Sequence, residues 1–325
     1  MTVDQHDTFA AAYTAGLRAL LAEGREVPGV NDGSSVGSQF GHATRATVEL
    51  APYTFTVCDP AACLLRSDLR QPSTAYIAGQ WLWVMAGSDD LDRISFYNSR
   101  GRAFSEDGRR LSGAFGARMR RSAGDQLSRA LDQLRADPAS RRATIVFADP
   151  ADSRQPTRDF PCALALQLLV RDGRLEVVTT MRSQSALMVL PYDAALFMGL
   201  HVWAAAALGI PAGPHHWVAN SFHVYEDELE LARRMADAPP APARMPSRVA
   251  NPEPTLQALE AYERQLRTVA LSGSGRVGDV PLPSALIDAT EFHGALAAVL
   301  QDHAAARAAA GAARSAGDAR GASDA

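Results

Sequence analysis

Asp159-Phe160-Pro161-Cys162 begins the stretch that decides how this chain folds. An apolar run follows over residues 163–170, then Asp172-Gly173, then a second run over 175–180, then Met181-Arg182-Ser183 and Leu190-Pro191-Tyr192-Asp193. Asp-Gly between two runs rich in Leu, Val and Thr predicts a β-hairpin. A hairpin brings its far ends together, so Cys162 at the head of one strand and Arg182 at the foot of the other are expected to be neighbours. A guanidinium beside a thiol favours the thiolate, and a thiolate is a nucleophile at neutral pH. Cys162 is thus the first candidate catalytic residue.

Composition narrows the class. The chain has 325 residues, 47% of them hydrophobic, enough for one large domain or two small ones. A net charge of −4 and a pI near 6.1 supply no basic field, so no nucleic-acid partner is expected. The sequence contains no lysine, which excludes Schiff-base and P-loop lysine chemistry. Cys58, Cys63 and Cys162 cannot all pair, and free thiols in a reducing compartment are expected. The spacing of Cys58 and Cys63 does not suit a zinc knuckle, and no metal site is expected. No basic-then-apolar leader opens the chain and no apolar run reaches bilayer length. The expectation is a soluble, cytoplasmic protein with no membrane partner.

Outward from the hairpin, residues 8–23 carry helical spacing closed by Gly24. Residues 27–37 form a turn-rich segment, either a plain connector or a phosphate-binding loop. Residues 45–57 read as one strand. Residues 73–87 read as a buried helix interrupted by Gln80, whose amide is either a structural hydrogen-bonder or faces a ligand. The closely spaced Gly113 and Gly116 imply backbone packed tightly against a neighbour. A helix over 123–135 precedes Asp137-Pro138-Ala139-Ser140-Arg141-Arg142 and a strand over 143–148. Arg141 and Arg142 are a solvated rim or an anion clamp. A long apolar helix over 194–208 stops at Gly209, and a strand over 217–225 puts His223 and Tyr225 on one face. Helix is expected over 226–235, completing a domain over 1–235. A Pro-rich loop over 236–254, a helical extension over 255–309 packed on the same domain, and a disordered tail over 310–325 complete the reading.

Several of these segments together resemble the thymidylate synthase family. Pro161-Cys162 with Gln167, Arg182-Ser183, Leu190-Pro191-Tyr192, the 137–142 segment, the 112–116 segment, His223-Val224-Tyr225 and Phe40-Gly41-His42 resemble its motifs, in its order, over roughly residues 10 to 235. The resemblance implies an α/β (α+β) fold with a large bent mixed sheet flanked by helices, and a homodimer packed sheet to sheet. It implies a pyrimidine nucleoside monophosphate whose C6 is attacked by Cys162 and whose C5 then accepts a one-carbon unit from 5,10-methylenetetrahydrofolate. Arg182 and Ser183 would hold the phosphate, with Arg141 and Arg142 reaching the partner's phosphate. His223 and Tyr225 would contact the sugar.

The departures from the pattern carry information. Asp193 stands where the family's uracil-reading Asn is expected. A carboxylate cannot donate to O4 of uracil but can accept from N4–H₂ of cytosine. The chain is therefore similar to the cytidylate (CMP/dCMP) 5-hydroxymethylase branch, of the kind used in making modified nucleotides or nucleoside antibiotics. A helix N-cap is the alternative role for Asp193. Gln80 stands for the catalytic Glu, Phe115 for a Tyr, Ala163 for a His, Ser185 for the pterin-contacting Asp, Val189 for a Gly and Asn31 for a loop Arg. The family's shielding Trp, expected before Ser112, has no counterpart between Tyr97 and Gly108, and a wetter site favours water capture and a hydroxymethyl product. Folate-independent C5 chemistry and a non-catalytic nucleotide-binding homologue remain as alternatives.

Overall fold

A computed structural model of the protein describes residues 4–30, 45–154, 157–288 and 290–323. The segments 31–37 and 40–42 singled out above, with Asn31, lie outside the described residues. The strands in chain order are β1 (Asp4–His6), β2 (Arg25–Val30), β3 (Arg45–Leu50), β4 (Tyr53–Val57), β5 (Leu64–Arg66) and β6 (Thr144–Val146). They continue with β7 (Ala163–Arg171), β8 (Arg174–Met181), β9 (Gln184–Ser185), β10 (Ala212–Ala219), β11 (Phe222–Tyr225) and β12 (Ala241–Ala243). A six-stranded sheet runs β1-β4-β10-β8-β7-β6, a four-stranded sheet runs β2-β3-β11-β9, and β12 pairs with β5.

The predicted hairpin is present. β7 and β8 pair antiparallel through Arg171↔Arg174, and Asp172 and Gly173 take φ of 50° and 71°, the left-handed values that this tight turn requires. Two strands expected to be single are each broken. Residues 45–57 form β3 and β4, and residues 217–225 fall in β10 and β11. In both cases the pieces belong to different sheets. β8 and β9 divide the same way, so the trio β4-β10-β8 continues as β3-β11-β9 beyond a shared crease. The two sheets are one mixed sheet bent across three adjacent strands. Asn220 N–H to Met181 O (2.9 Å) and Gln184 N–H to Ser221 O (2.8 Å) bridge the crease.

The helices are α1 (Phe9–Glu23), α2 (Thr74–Met85), α3 (Leu91–Ser95), α4 (Phe115–Arg120), α5 (Gln126–Ala136), α6 (Leu190–Leu208), α7 (Leu229–Asp237), α8 (Pro252–Ser272) and α9 (Phe292–Ser323). Thr8 and Ser73 cap α1 and α2 by accepting backbone N–H bonds. α6 is apolar on every side and lies in the core against the sheet, α2 and α8. It covers the inner face of β8, where Leu175, Val177, Thr179 and Met181 are fully buried, whereas Glu176, Val178 and Thr180 on the outer face are half-buried. Glu263 of α8, 1% exposed, is matched by Arg93 at 3.2 Å, Arg267 at 2.8 Å and the Tyr97 hydroxyl at 3.1 Å, which ties α8 to the segment after α2. Part of the expected Pro-rich loop is strand β12, and the backbone stays helical through Ser323 where a disordered tail is expected. Alanine, which dominates that tail, has the highest helix propensity.

A buried imidazole pair joins α6 to the sheet. His201 Nε2 lies 2.8 Å from Leu175 O, His201 Nδ1 lies 3.3 Å from His215 Nδ1, and His215 Nε2 lies 2.8 Å from Thr179 Oγ1. A carbonyl can only accept, so the protons follow in order. His201 Nε2 donates to Leu175, His215 Nδ1 donates to His201, and the Thr179 hydroxyl donates to His215. Both rings are thereby neutral, and burial holds His201 down at about 4 and His215 well below its ordinary value. An imidazole depressed in the folded state keeps its contribution above the unfolded value of 6.5 and loses it as pH falls toward 4. Chemical unfolding at pH 7 and pH 5 should show a loss of roughly 2 kcal/mol from His201. His201→Gln, which can still donate to Leu175, should flatten that slope.

Candidate active site at the crease

The crease gathers most of the residues singled out from sequence. Cys162 precedes β7 and is half-buried; the Arg182 N–H donates to its carbonyl at 2.8 Å, so the two hairpin ends meet as expected. The Arg182 guanidinium donates Nε–H to Pro161 O and Nη2–H to Phe160 O, each at 3.0 Å, and lies 5.0 Å above the Phe160 ring. The cation is thus fixed on the two residues that lead into the cysteine. Ser183, half-buried, stands in the gap between β8 and β9.

The 112–116 segment closes one side. Gly113 N–H donates to Asp159 Oδ2 at 2.6 Å, and a Cβ at Gly113 would lie 2.2 Å from Asp159 O. A Cβ at Gly116 would lie 2.6 Å from Val84 O of α2. Both glycines permit backbone contact that no other residue allows. Phe115, at the head of α4, stacks into a cluster with Phe147 and Phe197, at 5.3 Å and 5.5 Å.

Asp193 is the fourth residue of α6, and the N-cap position belongs to Val189, so the capping role does not hold. Its side chain is 2% exposed and Oδ2 accepts from Gln184 Nε2 at 3.0 Å. Burial pushes the carboxyl up to about 7, against the opposing pull of the Gln184 donor. Gln184, in β9 and 1% exposed, was not among the candidate residues; a polar residue directly after Arg182-Ser183 is the only signal the sequence carries for it.

His223 and Tyr225 do share a face, with rings 5.2 Å apart at 81°, and Arg45 lies 3.8 Å above Tyr225. Burial lowers His223. Glu49 lies directly opposite His223 and accepts from the Ser221 hydroxyl at 2.6 Å, with that hydroxyl 3.5 Å from His223 Nδ1. Gln80 is half-buried on α2, and its Oε1 is buried without a partner among the described residues.

Arg141 and Arg142 are not part of this gathering. Both are exposed ahead of β6, whose Thr144 pairs with Gln167, and Gln167 Nε2 donates to Arg141 O at 2.9 Å. That register puts them beyond the end of the β6–β7 ladder that is farther from Cys162, about 17 Å of strand away. None of the three cysteines forms a disulfide. Among the described residues no helix is long and apolar enough to cross a membrane.

A family model described as Thymidylate synthase matches residues 12–271. A deoxyuridylate hydroxymethyltransferase of Pseudomonas phage M6 is 30% identical over 190 residues, covering 57% of this chain and 54% of the relative. A second, of Bacillus phage SP01, is 31% identical over 162 residues, covering 45% and 42%. A thymidylate synthase of Corynebacterium aurimucosum is 26% identical over 175 residues, covering 50% and 63%. The chain spans about half the length of the curated relatives it matches.

Proposed function

On the footing that the chain belongs to the thymidylate synthase family, we propose that it transfers a one-carbon unit to C5 of a pyrimidine nucleoside monophosphate, and that the substrate is a cytidylate converted to its 5-hydroxymethyl form. The observation that carries the reading is a buried carboxyl, Asp193, held close in chain to a crease that also presents Cys162 and Arg182. The Cys162 thiolate bonds to C6, and the π pair of C5=C6 moves to C5. C5 then bonds to an electrophilic carbon at the formaldehyde oxidation level. The C5 proton leaves and the carrier departs from the new carbon, which leaves an exocyclic methylene on C5 while the sulfur stays on C6. Water adds to that methylene and supplies the hydroxyl, and the electron pair returned to C5 expels the thiolate and restores C5=C6. Arg182 and Ser183 hold the phosphate, and His223 and Tyr225 contact the sugar.

Asp193 favours cytosine on chemical grounds. Ionised, it accepts from N4–H₂; neutral, it also donates to N3. Uracil offers acceptors at O2 and O4, so an ionised carboxylate facing O4 loses about 1–3 kcal/mol per unpaired group. Deoxyuridylate is the second reading, supported by the relatives named deoxyuridylate hydroxymethyltransferases. A homodimer packed through the outer sheet face, on which Glu176, Val178 and Thr180 are only half-buried, would bring Arg141 and Arg142 to the partner's phosphate.

The family implies methylenetetrahydrofolate as the one-carbon carrier. Ser185 does not fit the expected pterin contact. Its Oγ accepts from Met188 N–H at 3.1 Å, and a hydroxyl offers no carboxylate to a pterin. The chain's own residues account for the nucleotide half of the chemistry alone.

Mass spectrometry of CMP, dCMP, UMP and dUMP incubated with and without methylenetetrahydrofolate tests the reading. A gain of one CH₂O unit on a cytidylate is expected; no modified nucleotide under any condition rejects it. Gln80→Glu places an ionisable carboxyl where an acceptor is buried unpaired, and should raise the rate by about tenfold through proton transfer.

A further inference from the structure

Gln184 has a side chain with two unusual ends. Its Nε2 donates to Asp193 Oδ2 at 3.0 Å, while its Oε1 is buried with no partner among the described residues. The residue cannot easily turn away. It is 1% exposed, its backbone N–H donates to Ser221 O at 2.8 Å, and its register opposite Phe222 is fixed by the β9–β11 pairing. Asp193 is equally fixed, since its backbone N–H donates to Val189 O at 3.0 Å in the first turn of α6.

An amide N–H can bond only to an oxygen with a lone pair directed at it. Oδ2 must therefore act as an acceptor in both protonation states of Asp193. We infer that Gln184 is the positioning residue of base recognition: it holds Oδ2 as an acceptor, so that Oδ1 faces the nucleobase and is the atom that carries the proton when the carboxyl is neutral. This rests on the reading of Asp193 as the base-recognising residue. With the proton on Oδ1, the neutral acid presents a donor to cytosine N3 beside an acceptor for N4–H₂. The unpaired Oε1 of Gln184 gives the crease a second buried acceptor, which a ligand N–H or a water would satisfy.

The groups facing the carboxyl are consistent with this division of labour. α2 contributes the Tyr76 phenol, whose hydroxyl burial and the Asp193 carboxyl push well up, and β9 contributes Gln184. Gln184 is the neighbour that donates to the carboxyl.

Gln184→Met keeps length and removes the donor. Gln184→Asn keeps the amide but withdraws it by one methylene. In the full chain, the CMP-to-UMP affinity ratio should fall about tenfold in either variant, the effect of losing one charge-assisted hydrogen bond. A carbon-13 titration of the Asp193 carboxyl should show its midpoint moving up from the wild-type value, because the donor that favours the carboxylate is gone. The titration needs folded protein but no nucleotide, and a loss of packing alone does not predict both changes. An unchanged ratio and midpoint in whichever variant folds overturns the inference. Asp193→Asn run in parallel separates the two levels. If it alters base preference while the Gln184 variants do not, only the role of Gln184 fails. If it too leaves preference unchanged, the base-reading role fails and this inference with it.

Discussion

Cys162→Ala should abolish the exchange of cytidylate H5 with solvent, by about a thousandfold or more, while nucleotide affinity stays within a few-fold of wild type. C5 of a pyrimidine does not release its proton at neutral pH unless C6 has first been saturated, and that saturation needs the sulfur. A thousandfold loss corresponds to about 4 kcal/mol of barrier, an ordinary figure for deleting a covalent nucleophile. Binding should persist because the groups proposed for the phosphate and sugar, Arg182, Ser183, His223 and Tyr225, are anchored independently of the thiol: Arg182 on Phe160 and Pro161, and His223 against Tyr225. Deuterium exchange followed by proton NMR, with calorimetric binding beside it, reads both halves. Exchange that survives the substitution removes covalent catalysis by Cys162, and affinity that collapses with it makes the cysteine structural.

Asp193→Asn is expected to change base preference by about a hundredfold, from cytidylate toward uridylate, since an amide can donate to O4 and accept from N3–H whereas a carboxylate can only accept. Wild-type discrimination should itself depend on pH. Uracil requires the neutral acid, whereas cytosine is read by both forms, so preference for CMP over UMP should grow as pH rises through about 7. The Asn variant should show no such trend. Stability moves too. The folded carboxyl is raised from 3.8 to about 7, so its contribution is present at low pH and lost as pH rises across that interval. At pH 8 the variant should be more stable than wild type by about 2–4 kcal/mol, an excess that shrinks toward pH 4. Thermal unfolding across this range, with competitive binding of CMP and UMP, tests both. A variant that keeps the wild-type preference sinks the cytidylate assignment.

The slope from Asp193 opposes that from His201, and neither was legible in the sequence. His201 and Asp193 sit in one apolar helix, and only tertiary burial tells a titrating residue from a satisfied one. The hairpin was legible because alternation and Asp172-Gly173 are local signals. Residues 45–57 and 217–225 read as continuous because β-propensity does not change where a strand crosses from one sheet to another. The position of Cys162 beside Arg182 followed from hairpin geometry alone. Gln184 was not legible because its role depends on Asp193, nine residues on and across a helix start. The Glu263 cluster likewise joins residues about 170 apart in sequence, a pairing that no periodicity announces.

The shared bend sets a rule for how such a chain can change. Residues 50–53, 181–184 and 219–222 turn together, and a side-chain register alternates from one residue to the next. Deleting a single residue from any of the three would invert every later side chain of that strand and put it out of step with both neighbours. Exchanging side chains along the fold line leaves this register intact, whereas insertions and deletions there break it.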